Sequence, residues 1–396
     1  MPTTPLPRFA SALSTHSNLD EAIAEVTSQI TERLGTTPNL VFVFVSIDRA
    51  DACEHLASEL CDKLGTETLL GCTAESLLGT GAEIEGETAL SVWAAALPGV
   101  TISPMHLAFE RTPDGGLITG WPDDYIDEWP SGTNMFCLGE PFSFPADLML
   151  ERLNEDRPGV AVFGGMASGG SVPKENRLLM GRAVHHEGAV AALVSGGSVR
   201  IRTVLSQGCR PIGKPMIVTK VERNVVQELG GRAALVQLKE IFDTLPTHEQ
   251  ALVQRGLHLG RVVSEYQDKF EQGDFLVRNV VGIDPKSGAI AVGDYFRTGQ
   301  TVQFHIRDGH TADDDLKTCL DQAKTAGSQP LGGLLFTCNG RGMHLFGEPH
   351  HDAACVQAAF GNIPLAGFFA QGELGPIAGK NFMHGFTASL ALFEAT

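Results

Sequence analysis

The sequence predicts an α/β (α+β) protein of two lobes, in which mixed β-sheets pack with helices in repeated strand-helix-strand units and the C-terminal lobe carries an antiparallel β portion. Three observations lead there. Apolar runs of strand length alternate with stretches of helical periodicity, the pattern of sheets covered by helices. The order strand, helix, strand, glycine, loop, strand recurs three times along the chain. At 396 residues, with 43% hydrophobic and 19% charged residues and 45 glycines, the chain is too long for one ordinary domain and too apolar for disorder.

The first unit opens with a helix over 19–34. Leu19, Ala22, Ile23, Val26, Ile30 and Leu34 fall on one face, Asn18 is a suitable N-cap and Gly35 a suitable stop. Leu40 to Val45 is a buried strand, and Ala50 to Leu64 a second helix closed by Gly65. Leu69 and Leu70 lead to Gly71, Cys72, Thr73 and Glu75, and the run Leu90 to Leu97 completes the unit. From Pro98 to Pro130 a strand gives way to an irregular loop bearing Trp121, Tyr125 and Trp129. A middle unit runs from Met135 through the helix after Pro145 to Val160–Gly165 and on to Ala189–Val194.

Pro211 and Pro215, with Gly208 and Gly213, break regular structure twice, which places the lobe boundary there: one domain over 35–215, a second over 216–393. A strand over 216–222 and helices over 224–229 and 233–245 follow. Short strands over 262–266, 275–283, 289–292 and 301–306, separated by turn residues such as Asp284-Pro285-Lys286-Ser287-Gly288, form the antiparallel portion. A helix over 312–324 with an acidic start returns the chain to the last unit: Gly333–Cys338, a helical stretch, Leu365–Gly372, Glu373 and Phe386–Phe393.

Charge excludes some functions. With 29 Lys plus Arg against 47 Asp plus Glu, a net charge of -18, the surface suits neither nucleic acid nor anionic lipid. No apolar run reaches the roughly 18 residues of a membrane span, and no signal-peptide core is present, so a cytoplasmic protein is expected. The eight cysteines form no CxxC pair or zinc spacing and read as free thiols.

Glycines that follow buried strands allow sharp turns or close approach to a ligand. At equivalent places in repeated units they would converge on one cavity, and a turn alone needs no acid at the offset of Glu75 and Glu373. Arg341, within Cys338-Asn339-Gly340-Arg341-Gly342, suits bidentate recognition of a carboxylate, with Glu373 or Glu75 set to meet an amine. Equally, Arg341 pairs with a carboxylate of the protein such as Glu373. Substitution distinguishes the two: a ligand clamp leaves the melting temperature unchanged, a structural pair does not. His344, His350, His351, Asp352 and His384, with Cys338, are metal ligands in kind but not in spacing. Cys338 or Cys72 with His384 or His350 is a nucleophile-base alternative lacking a catalytic signature. The glycines of `GGMASGG` (164–170) do not fit a dinucleotide fingerprint. The aromatic loop Trp121, Tyr125, Trp129 offers a surface for a protein partner.

Three segments together resemble the FIST family, sensory proteins named for F-box and intracellular signal transduction: `GCRPIGKPMIVTKVE` (208–222), `TCNGRG` (337–342) and `PLAGFFAQGELGPIAGKNFMHGFT` (364–387), with a looser match in `GCTAESLLGTGAEIEG` (71–86). The resemblance implies an N-terminal and a C-terminal family domain, binding of small ligands with amino acids among the candidates, and signalling through attached modules. No kinase, methyl-accepting or F-box segment is recognised here, so a separate signalling partner is expected. Candidate ligand contacts are Gly71, Cys72, Thr73, Glu75, Gly164, Gly165, Cys338, Asn339, Arg341, Gly367, Gln371, Glu373 and His384. No cofactor, metal or catalytic residue is expected.

Overall fold

The computed structural model describes residues 6–113, 115–122, 129–197, 199–267 and 269–396. The chain forms two compact units: residues 1–205, 317–383 and 387–396 make the larger, and 206–316 with 384–386 the smaller. The first helix spans Leu19–Leu34. The Asn18 side chain accepts from the Glu21 N–H at 3.1 Å and Gly35 adopts a left-handed φ of 65°, as the capping residues require. The 50–64 stretch begins as a 3₁₀ turn, Ile47–Ala52, and becomes α-helical over Cys53–Leu64.

Three strand-helix-strand units build the larger unit. In each, two strands pair in parallel: Leu40–Ser46 with Leu69–Ala74, Asn134–Gly139 with Ala161–Met166, and Gly332–Cys338 with Leu365–Ala370. The helices Cys53–Leu64, Ala146–Asp156 and His351–Phe360 make the connections. A third strand, Leu90–Ala96, Ala189–Gly196 or Thr387–Ala395, lies antiparallel beside the first of each pair.

After its second parallel strand each unit sends a hairpin to another unit's sheet. The hairpin Ser76–Gly79/Ala82–Glu85 joins Leu365–Ala370, Leu178–Met180/Ala183–His185 joins Leu69–Ala74, and Glu373–Ile377/Lys380–His384 joins Ala161–Met166. The exchange is cyclic, so no unit has a complete sheet alone. Aromatic side chains from the three sheets fill the space between them. Phe42 lies 5.2 Å from Phe136, Phe44 lies 5.1 Å from Phe368, and Phe136 stacks on Phe393 at 5.8 Å, all 0% exposed. Apolar burial on this scale is the dominant favourable term in folding.

The recurrent glycines sit inside strands and do not turn the chain after them. A Cβ on Gly71 would lie 2.2 Å from the Val43 carbonyl oxygen, on Gly164 1.9 Å from that of Cys137, and on Gly367 1.7 Å from that of Leu335. Each faces the residue paired with it on the parallel neighbour. What approaches closely is the protein's own backbone, and only glycine leaves room.

The smaller unit is an antiparallel barrel in the strand order 209–222, 301–307, 257–262, 275–284, 289–292, 225–229 and 232–233, with 209–222 also pairing 225–229. Three sequence expectations change. Residues 224–229 are the strand Val225–Leu229, because pairing with Ala289–Val292 overrides local helix preference. The strand placed at 262–266 is Leu257–Val262. Cys209–Glu222 is one continuous strand: a bulge between Ile212 and Met216, with Gly213 at φ 65°, absorbs Gly213 and Pro215, while Pro211 stays in register with His305. Among the described residues no helix is long and apolar enough to cross a membrane.

Candidate functional site

The carboxyl ends of the parallel strands meet at one rim of the larger unit. The Glu75 N–H, at the end of Leu69–Ala74, donates to Ser168 Oγ at 3.2 Å. Ser168, just beyond Ala161–Met166, donates its hydroxyl to the Phe369 carbonyl in Leu365–Ala370. One serine therefore ties together the three strand-helix-strand units. Around it Asn339 N–H donates to Ala370 O at 3.0 Å, Gln371 N–H to Met166 O at 3.0 Å, and Met166 N–H to Gly372 O at 2.8 Å. In sheets with parallel strands, this end of the strands is where loops and free backbone groups gather to receive ligands.

A second anchor holds the loop after Ser168. Buried Asn176 accepts from Thr73 Oγ1 at 3.2 Å and from the Gly170 N–H at 2.8 Å, and Thr73 Oγ1 accepts from the Arg177 N–H at 2.9 Å. Thr73 thus orients a loop more than a hundred residues away in sequence. Glu140 is completely buried yet well satisfied, accepting from the Phe142 N–H and the Ser143 hydroxyl.

The sequence-singled residues fall into two groups here. Glu75 and Gln371 are exposed at the rim, and Cys338 and Asn339 are half-buried beside it. Gly71, Cys72, Thr73, Gly164, Gly165, Gly367, Arg341 and Glu373 are buried. Cys72 lies in mid-strand, and complete burial pushes its thiol well above the ordinary value, so it is no exposed thiolate. Glu373 accepts from the Thr387 N–H at 3.1 Å and the Thr387 hydroxyl at 2.7 Å. His384, also buried, belongs to the smaller unit.

Arg341 pairs with Asp352 rather than Glu373. Its Nε donates to Asp352 Oδ2 at 2.6 Å and its Nη2 to Oδ1 at 2.8 Å. Thr337 Oγ1 donates to Oδ2 at 2.6 Å, and Nδ1 of His351 lies 2.9 Å from Oδ1. Burial alone would raise the Asp352 pKa, but Arg341 and the surrounding donors hold it well below the usual carboxylate range. Arg341 is 0% exposed and Nη1 has no protein acceptor. Its guanidinium lies over the Phe346 ring, which stacks on His351 at 3.4 Å between centroids. Next to this cluster Glu83 accepts from the Ala353 N–H at 2.9 Å. Burial, with the Asp352 charge added, pushes its pKa up to about 8.

Of the metal-ligand candidates, His350 accepts the Glu83 N–H on Nδ1 at 2.9 Å, His351 is tied to Asp352, and His344 is exposed. Trp121 and Trp129 pack against the core of the middle unit and line a cavity of 720 Å³ with Leu117, Met149, Leu153 and Arg157. Tyr125, the third aromatic of that loop, lies outside the described residues. Sequence reasoning missed Ser168, Asn176 and Glu83, and placed Asp352 only among metal ligands. The polar residues after the glycine pair, Ser168 and Asn176, were the available signal for the rim.

The chain matches the FIST N domain over residues 39–232 and the FIST C domain over residues 234–376. It is 43% identical to an uncharacterized protein of Mycobacterium tuberculosis, an alignment covering 98% of this chain and 99% of that one. It is 40% identical to an uncharacterized protein of Mycobacterium bovis, covering 98% of each.

Proposed function

The chain belongs to the FIST family, whose domains suggest a sensory or signal-transduction role, and we propose that it senses a small polar ligand, amino acids first among the candidates, at the rim where the parallel strands end. The observation that supports this most is the link from the Glu75 N–H through Ser168 to Phe369, which draws the three strand ends together beneath exposed Glu75 and Gln371. Glu75 would meet an ammonium group, while Gln371 and Asn339 supply neutral donors and acceptors. Cys338 lies at the margin. Gly71, Cys72, Thr73, Gly164, Gly165, Gly367 and Glu373 support the rim from within, and Arg341 positions the loop 338–342 through Asp352. His384 serves the smaller unit.

In this reading the three units descend from one repeated element, the family domains run over 35–215 and 216–393, and the protein works in the cytoplasm without turnover. Occupancy of the rim is passed to a separate protein partner, because the loops that hold it are the parts best placed to change with ligand. A thermal-shift screen with amino acids, small organic acids and nucleotides tests it. A ligand at a hundred times its dissociation constant adds about 2.7 kcal/mol, and the shift should vanish in Glu75→Ala while the ligand-free protein melts unchanged.

A further inference from the structure

The smaller unit carries a cation for which its own fold supplies no anion. Arg307 ends the strand Thr301–Arg307, and its Nε and Nη2 are buried with no acceptor among the described residues. These two groups form the edge of the guanidinium that grips an oxyanion through two parallel hydrogen bonds. Arg341 uses the same edge on Asp352. Asp308, the acid next to Arg307 in sequence, is engaged by Arg210 and Thr311 instead. Buried donors left without acceptors are costly, and charged ones more so.

A second polar group lies close by. His258, on the strand Leu257–Val262, is 4% exposed and its Nδ1 has no partner. The His258 ring lies 4.4 Å from the centroid of the Phe386 ring, and the Arg307 guanidinium lies over that ring at 5.1 Å. Burial and the Arg307 charge lower the His258 pKa to about 4, so the imidazole is neutral at pH 6 and above and keeps one proton. Asn279, opposite His258 on the neighbouring strand, works the other way, as a side-chain carbonyl receiving a ring N–H does. That leaves Nδ1 as the accepting nitrogen. Phe386 packs on the apolar cluster Val262, Phe275 and Val277, and its φ of 69° is one that a bulky residue rarely adopts. A shift of this ring releases strain and uncovers the guanidinium.

The two groups ask for an anion that also carries a proton. An ionised carboxylate satisfies the fork but has nothing to donate to Nδ1, and neither has a phosphodiester. We propose that the smaller unit binds a small phosphate monoester with an apolar body. Two of its anionic oxygens meet Arg307 Nε and Nη2, its P–OH donates to His258 Nδ1, and the apolar body rests on Val262, Phe275 and Val277 as Phe386 moves aside. These residues take no part in the rim, so the site stands whether or not the rim binds a ligand.

Phenyl phosphate is the probe, titrated calorimetrically into the intact protein at pH about 6, where such esters keep much of their second proton. Phenyl sulfate, which has no proton to give, and inorganic phosphate, which has no apolar body, are titrated beside it. Phenyl phosphate should bind saturably, inorganic phosphate more weakly, and phenyl sulfate about tenfold more weakly or beyond. Arg307→Gln should weaken phenyl phosphate by about tenfold or more. Absence of saturable phenyl phosphate binding, or phenyl sulfate binding equally well, overturns the proposal without any variant, so a misfolded Arg307→Gln does not protect it. Inorganic phosphate binding as tightly as the ester, or ester binding that Arg307→Gln leaves unchanged, overturns it as well.

Discussion

Asp352→Asn removes the charge that compensates Arg341 while keeping the side chain's shape. Arg341 is 0% and Asp352 1% exposed, so the guanidinium would be left buried without the carboxylate that its Nε and Nη2 both bond. Breaking such a pair from one side costs about 3–5 kcal/mol, a large part of the roughly 5–15 kcal/mol that holds a typical protein folded. Replacing both partners, as Arg341→Met with Asp352→Leu, removes the uncompensated charge and should recover most of the loss. The three tryptophans, Trp93, Trp121 and Trp129, all belong to the larger unit, so urea unfolding followed by tryptophan fluorescence reports on that unit without the barrel. A loss below about 1 kcal/mol in Asp352→Asn would refute the structural role, since that is the scale of a surface pair, and would return Arg341 to the list of ligand contacts.

Three further outcomes are expected. Gly367→Ala puts a Cβ 1.7 Å from the Leu335 carbonyl oxygen between paired parallel strands; the larger unit should lose more than about 4 kcal/mol, measured by the same urea titration. Glu83 is favoured in its protonated form by the fold, with a pKa of about 8 against 4.5. Its stabilising contribution is complete below pH 4.5 and is lost as pH rises to about 8. Glu83→Gln should flatten the alkaline side of the stability profile. In the barrel, burial lowers His258 and His305 to about 4 from 6.5, Arg307 adding to the effect on His258. The neutral imidazoles stabilise above pH 6.5, and that contribution drains away as pH falls from 6.5 to about 4. Hydrogen exchange in 257–262 and 301–307 should quicken over that range, and His305→Phe should blunt the change.

Local signals made much of the fold legible. Asn18 and Gly35 bounded the first helix because both caps act within four residues, and the apolar runs at 40–45, 189–194 and 333–338 identified strands buried on both faces. What failed depended on distant partners. The strand at 225–229 forms against 289–292, and the long strand at 209–222 survives its prolines through a bulge fitted to 301–307. Gly71, Gly164 and Gly367 were visible as special, but their purpose is set by a carbonyl on a neighbouring strand that no local pattern reveals. The rim divides in the same way. Glu75 and Gln371 stood out beside their glycines. Ser168 reaches partners 93 and 201 residues away, and Asn176 meets Thr73 across 103, separations at which residue type alone carries no signal. Asp352 was readable as an acid between histidines, yet its pairing with Arg341 follows only from the helix packing against the strand Gly332–Cys338.

Calorimetric titration of amino acids and small organic acids into the intact protein and into Glu75→Ala tests the ligand rim most directly. The account predicts saturable binding of one ligand class by the intact protein, no heat with Glu75→Ala, and identical thermal unfolding of the two ligand-free proteins. Binding that Glu75→Ala leaves unchanged would contradict it, placing the ligand elsewhere than the strand ends; so would the absence of binding across the whole panel.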